Sequence, residues 1–244
     1  MNTPMVIAHS GFCGTVPNSL ASIADAAALG ADGVEVDLQC SVDGTPILAH
    51  DRAVVAADGT ERSIPTVAAA TIAAGALLPR GARTPPPSLD EVVASCHARG
   101  LLLNLDIKDA RVFPAVIRLL SDPLTRPQAV ITGCTIDVLH QLGRPVAAAS
   151  LLVNLSADLV GAGTSDRRAR DQLLDRVVAL GAQGINLQHS LVNQTIVAAA
   201  HRRFLAVTAW TVDQSDDIAR VRRLGVDAIT TNRPQAVIGG HHER

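Results

Sequence analysis

The chain has 244 residues, 48% of them hydrophobic, and sets 21 Lys and Arg against 23 Asp and Glu for a net charge of −2. That length and composition suit one large core, and the balanced charge excludes a general nucleic-acid or anionic-membrane surface; Arg167, Arg168 and Arg170 are a local exception. The start has no basic segment before an apolar one, no stretch reaches about 18 uninterrupted apolar residues, and Cys13, Cys40, Cys96 and Cys134 lack C-x-x-C spacing. A soluble, cytoplasmic protein with reduced thiols and no stable membrane anchor is therefore expected.

Short apolar runs alternate with longer amphipathic ones along the chain. Strands are expected at 5–9, 33–38, 101–107, 129–132, 147–152, 184–187, 205–210 and 227–231. Helices are expected at about 18–30, 88–99, 111–121, 135–142, 169–180, 190–203 and 215–224. Asn18 reads as the cap of the first helix, Ser88 with Glu91 as a capping box, and Asp213 with Ser215 as the start of the seventh helix, while Gly30, Gly100 and Gly225 punctuate helix ends. Eight strands with helical crossovers predict an α/β fold, a (β/α)8 TIM barrel, with a doubly wound open sheet as the competitor. No G-x-G-x-x-G follows a strand, which argues against the dinucleotide-binding version of that competitor. Residues 1–244 read as one domain. Residues 39–87 are too many for a strand-to-helix loop; they contain an apolar run at 46–49, an Ala-rich helix near 66–75 and Pro85-Pro86-Pro87, and they read as a small cap inserted after strand two.

In the second strand Val34, Val36 and Leu38 alternate with Glu35 and Asp37, so two carboxylates share one face. Paired buried carboxylates are costly unless a cation sits between them, and oxygen ligands of this type suit Mg2+ or Ca2+. Asp43-Gly44 reads as a turn, and the apolar run at 46–49 delivers His50 and Asp51 at its end; the alternative for an isolated Glu-x-Asp is a solvent-facing hairpin with ordinary surface charges. In a barrel the groups that end the strands carry the chemistry. His9 ends the first strand, followed by Ser10. In the third, Asn104, Asp106 and Lys108 share a face. Lys108 is the single lysine beside 20 arginines. A compact ammonium suits a phosphate or a developing oxyanion; the plainer account is one surviving surface lysine. Trp210, the single tryptophan, reads by itself as core.

Taken in order, His9-Ser10-Gly11, Asn18-Ser19-Leu20, Gly33-Val34-Glu35-Val36-Asp37, Asp43-Gly44-Thr45-Pro46, His50-Asp51, Pro87-Ser88-Leu89-Asp90-Glu91-Val92, Asn104-Leu105-Asp106-Ile107-Lys108, Trp210-Thr211-Val212 and the run from Leu224 to Pro234 resemble the glycerophosphodiester phosphodiesterase family. The resemblance spans about 5–236 and is thin between about 52 and 84 and between 110 and 180. It implies a (β/α)8 barrel and metal-dependent hydrolysis of a small glycerol-linked phosphodiester, with no nucleic-acid partner. By motif, it implies that His9 and His50 are the acid–base pair, that Glu35, Asp37 and Asp106 hold one Mg2+ or Ca2+, and that Lys108 lies beside the phosphate, with Trp210 and Ser10 on the substrate side. A neighbouring substrate hydroxyl attacks first in that chemistry, giving a cyclic phosphate that water opens.

The chain departs from the family pattern at several positions. Ser10 stands where Arg is usual, Val16-Pro17-Asn18-Ser19 replaces Pro-Glu-Asn-Thr, Asp106 replaces Glu, Asp213 stands for Asn, and Asn232 stands for Asp. Losing the Arg removes a bidentate phosphate clamp. The expectation is a retained metal and both histidines with rebuilt phosphate contacts, hence a different phosphodiester or a lyase that stops at the cyclic product, with the Arg167 to Arg170 loop a candidate replacement cation. The other class of reading is a non-catalytic barrel that binds a phosphorylated ligand.

Overall fold

The structure, a computed structural model, describes residues 3–121, 128–142, 150–155 and 166–239. Eight parallel strands close on themselves: β1 (Met5–Ala8), β2 (Gly33–Cys40), β7 (Leu102–Ile107), β8 (Ala129–Thr132), β9 (Ser150–Asn154), β10 (Gly184–Gln188), β11 (Ala206–Trp210) and β12 (Ala228–Thr231). Closure is made by β1, which pairs with β12 on one side and with β2 on the other. The (β/α)8 barrel expected from eight alternations is the fold, and the open sheet is not. Of the expected fifth strand, residues 147–149 lie outside the described part of the chain.

Side-chain alternation sorts each strand into two faces. Val34, Val36 and Leu38 of β2 join the apolar layer between strands and helices, where they meet Ile23 and Ala26 of the helix Leu20–Ala28 and Val92, Val93 and Cys96 of Leu89–Arg99. The opposite face of β2 enters the barrel. Leu89–Arg99 starts at the capping box of Ser88 and Glu91 and stops at Gly100 in the left-handed conformation, as the sequence predicts. Two other expected caps are different. Ser19 caps the first helix through Ser22, and the helix Ser215–Leu224 begins after Gln214 without a side-chain cap. Asn18 and Asp213 are used elsewhere, in the site.

Between β2 and the helix Leu89–Arg99 the chain leaves the barrel. β3 (Pro46–Leu48) returns antiparallel to β2 after the turn at Gly44. A separate antiparallel sheet follows, in the order β5 (Glu61–Ser63), β4 (Ala53–Ala56), β6 (Leu77–Pro79), with the short helix Ala69–Ala73 against it. Ile47, Val54, Ile64, Val67, Ile72 and Leu77 form its own small core. The helix is the one expected near 66–75, whereas the sheet carries no sequence signal, because three- and four-residue strands rich in alanine and charge have no clear period. Among the described residues, no helix is long and apolar enough to cross a membrane.

Candidate active site

The inner face of β2 presents Glu35, Asp37 and Gln39, all buried. In register, Glu35 lies beside Asn104 and Asp37 beside Asp106 of β7. Facing pairs on two adjacent strands bring three carboxylates together: one oxygen from each of Glu35, Asp37 and Asp106 lies within 4.8 Å of the others. The burial of Glu35 (4% exposed) and Asp37 (1%) removes the surface-hairpin alternative. Gly133, with φ of +86°, packs directly against Asp106 and Ile107, so a side chain there would push into the cluster.

Lys108 continues the same face and lies 2.8 Å from Asp106 Oδ2 and 3.1 Å from Asp37 Oδ1. It is therefore no stray surface lysine. Burial opposes its charge, but Asp106 and Asp37 outweigh burial and raise its pKa. Three carboxylates against one ammonium still leave an excess of negative charge. Burial first, then Asp37 and Asp106, lift the pKa of Glu35 well above the usual carboxylate range, against the lowering effect of the Ser10 N–H and Lys108. Among the described residues, Glu35 Oε1 and Asp106 Oδ1 are buried and accept no hydrogen bond. Oxygens left in that state are what a hard divalent cation takes as ligands.

Two loop residues brace the cluster. The Ser10 N–H donates to Glu35 Oε2 (2.9 Å), and Ser10 Oγ accepts from the Asn18 N–H (2.9 Å). Asn18, buried and at φ of +56°, accepts from the Asp37 N–H (2.9 Å) and donates through Nδ2 to Asp37 Oδ2 (3.1 Å). Ser10 thus holds the frame of the cluster. Spacing alone gave no signal for this use of Asn18, which resembled an ordinary helix cap.

His9 stands at the end of β1 with Nε2 3.8 Å from Glu35 Oε2 and Nδ1 3.0 Å from Asn232 Oδ1. Behind it, Asp213 accepts from the Asn232 N–H (2.8 Å), from Asn232 Nδ2 (2.9 Å) and from Thr231 Oγ (3.1 Å). Burial opposes the charge of Asp213, yet these hydrogen bonds outweigh it and hold its carboxyl below the usual range. His50 follows β3 on the rim. Its carbonyl accepts from Gln39 Nε2 (2.9 Å), its Nδ1 lies 3.0 Å from Asp51 Oδ1, and its side chain is 65% exposed. A cavity of about 280 Å³ opens beside it, lined by Pro17, Asn18, Asp51, Arg80 and Pro86.

Two expectations are corrected. Trp210 is not core: it ends β11 and is 36% exposed, because its strand position lies at the open mouth of the barrel. The Arg167 to Arg170 segment is the first turn of the helix Arg167–Ala179, where Arg167 and Arg170 pair with Asp171.

Fold and site together define a (β/α)8 barrel protein with a buried carboxylate cluster, an ammonium and a histidine at the C-terminal ends of its strands. Residues 9–236 match the glycerophosphoryl diester phosphodiesterase family, and the chain belongs to it, among the phosphoric diester hydrolases. It is 26% identical over 260 residues to a glycerophosphodiester phosphodiesterase of Arabidopsis thaliana, covering 97% of this chain and 73% of that one. Identity is 24% over 247 residues to the glycerophosphodiester phosphodiesterase of Caldanaerobacter subterraneus, covering 96% of each. Among solved structures, an Oleispira antarctica phosphodiesterase in complex with the product sn-glycerol-3-phosphate aligns with a TM-score of 0.77 at 22% identity, covering 98% of this chain and 97% of that one. A Thermotoga maritima glycerophosphodiester phosphodiesterase aligns with a TM-score of 0.76 at 16% identity, covering 98% and 99%.

Proposed function

We propose that this chain cleaves a small glycerophosphodiester-like phosphodiester, with one divalent cation, Mg2+ or Ca2+, held by Glu35, Asp37 and Asp106, and with His9 and His50 as the acid–base pair. The observation that supports it is the carboxylate trio, Glu35 and Asp37 buried and Asp106 half-buried, whose buried, unpartnered oxygens Glu35 Oε1 and Asp106 Oδ1 suit a hard cation. Bound there, the cation would supply charge neutralisation for the non-bridging phosphate oxygens. Lys108, on the same rim of the cluster, adds a second positive charge for the phosphate. His9 offers Nε2 toward the cluster and exchanges a proton with one ester oxygen; His50, approaching from the rim, serves the other. Attack by a neighbouring substrate hydroxyl or by water uses the same two groups, and gives a cyclic or a linear phosphate respectively.

Ser10 favours a shifted substrate within this reading. Its hydroxyl accepts the Asn18 N–H, so the position where the family pattern has a guanidinium contributes framing and no cation. The Trp210 ring at the mouth supplies an apolar wall for the alcohol portion, and the cavity beside His50 takes the departing group. We read residues 1–244 as one domain in which 39–87 caps the site, and its four free cysteines support a cytoplasmic, soluble protein. The test is a phosphodiester panel, from glycerophosphocholine to bis(p-nitrophenyl) phosphate, with Mg2+, Ca2+, Mn2+ or EDTA, and products identified by phosphorus NMR. Release of a phosphomonoester or cyclic phosphate that EDTA abolishes is expected. Turnover indifferent to EDTA would remove the cation, and cation-dependent ligand binding without turnover would leave a binding barrel.

A further inference from the structure

We propose that Asp213 and Asn232 are positioning residues that lock the His9 ring with a hydrogen on Nδ1, so that Nε2 is the nitrogen that gives and takes protons in the site. The role of Nε2 in chemistry rests on the phosphodiesterase reading above; the tautomer does not. The three residues follow the ends of neighbouring strands, His9 after β1, Asp213 after β11 and Asn232 after β12. Backbone bonds fix their spacing: the His9 N–H donates to Thr231 O (2.9 Å), the Cys13 N–H to Asn232 O (3.0 Å), and the Val212 N–H to Thr230 O (2.9 Å).

Hydrogen-bond polarity then determines the ring. An ionised carboxylate only accepts, so every partner of the Asp213 carboxylate must donate. Asn232 Nδ2 lies 2.9 Å from Asp213 Oδ2, and an amide presents two hydrogens from nitrogen and only lone pairs from oxygen. The Asn232 amide cannot be turned over without setting its oxygen against the carboxylate. Its Oδ1 therefore faces His9 Nδ1 at 3.0 Å, and an oxygen that can only accept requires a hydrogen on Nδ1. This holds whether the ring is neutral or protonated. In the neutral ring Nε2 carries the lone pair, beside the carboxylate cluster at 3.8 Å from Glu35 Oε2. A free imidazole in water favours the other tautomer, with hydrogen on Nε2, so the arrangement has to be imposed by the hydrogen bond that Nδ1 makes.

The test starts with nitrogen-15 NMR of the histidine-labelled protein, with the His9 signals assigned by their loss in His9→Gln. The neutral ring is expected to show a pyrrole-type Nδ1 and a pyridine-type Nε2 in the wild type. Asp213→Asn, of the same shape, lets residue 213 present hydrogens to Asn232, so the Asn232 amide turns and the tautomer shifts toward hydrogen on Nε2. Turnover is expected to fall about 10²-fold or more with KM little changed. The double variant Asp213→Asn with Asn232→Asp sets an acceptor-only carboxylate directly on Nδ1, and is expected to restore both the NMR signature and most of kcat. A wild-type ring with hydrogen on Nε2 overturns the proposal, and so does a tautomer and kcat unmoved by Asp213→Asn. If the tautomer behaves as stated while no phosphodiester is turned over, the relay stands and the functional reading falls.

Discussion

A divalent cation added to the metal-free protein is expected to raise its melting temperature, and to raise it more as the pH climbs. The source is the charge imbalance of three clustered carboxylates and one ammonium. Burial, followed by Asp37 and Asp106, holds the Glu35 pKa well above its usual value. An acid of this kind binds more protons in the folded state than in the unfolded one. The Glu35 contribution to metal-free stability is therefore full below the ordinary carboxylate range and is lost as the pH rises through the raised native value. Each tenfold weakening of the native acid costs the fold about 1.4 kcal/mol once the pH exceeds that value. A cation among the same oxygens reverses the effect, and it binds more tightly where it has no proton to displace.

The size of the response follows from mass action. At a cation concentration of about 100 times Kd the folded state gains about 2.7 kcal/mol. For a chain of this length each kcal/mol moves Tm by about 2–4 °C, so the rise is about 5–11 °C. The assay is scanning calorimetry after EDTA treatment, with Mg2+ or Ca2+ titrated in at a mildly acidic and at a mildly alkaline pH. Glu35→Gln keeps an acceptor for the Ser10 N–H but removes one charge. Its metal-free form is expected to melt above the metal-free wild type at the higher pH, with a smaller cation response. A cation response of the same size in wild type, Glu35→Gln and Asp106→Asn refutes the cluster as the cation site, and a metal response that shrinks with rising pH refutes the charge account.

His9→Ala and His50→Ala are each expected to lower kcat roughly 10²-fold or more in steady-state assays, and a variant with unchanged kcat removes that histidine from the chemistry. Asn18→Ala deletes both bonds to Asp37 (2.9 and 3.1 Å) and is expected to cost about 1–3 kcal/mol in urea unfolding and to weaken cation binding by calorimetry; unchanged cation affinity would refute its bracing role. Ser10→Arg breaks the Asn18 anchor while adding a guanidinium, so turnover of glycerophosphocholine is expected to fall with cation affinity; a gain in kcat/KM there would mean that Ser10 is a simple loss.

The barrel was legible because its signals are local and repeated. Each inner strand carries an apolar run bounded by a helix cap or glycine, and Ser88, Gly100 and Gly225 mark helix ends where they were expected. The carboxylate cluster was legible in halves. Glu35 and Asp37 share a face by period, but only the pairing of β2 with β7 brings Asp106 beside Asp37. What stayed hidden depends on contacts far apart in the chain. Asn18 and Asp213 looked like caps because Asn and Asp before a helix satisfy the same local rule whether or not their side chains turn inward. Trp210 looked like core because composition records that a tryptophan is rare and not which end of a strand it occupies.

The departures from the family pattern acquire a physical meaning once they are placed in space. Asp213 and Asn232 each differ from the usual residue, and they are bonded to one another at 2.8 and 2.9 Å, with Asn232 on His9. Exchanging a carboxylate and an amide across one hydrogen-bonded pair moves the charge one residue away from the imidazole while an acceptor still faces Nδ1. Either change alone would have been costly: two adjacent carboxylates repel, and two adjacent amides turn a donor toward Nδ1 of His9. Ser10 follows the same histidine in the chain and is joined through Asn18 to Asp37. Ser10, Asp213 and Asn232 thus support groups that remain, His9 and the carboxylates. On the proposed reading, the positive charge offered to the phosphate comes from Lys108 and a cation at the carboxylates, so the difference from other members of the family is to be sought in which phosphodiester fits.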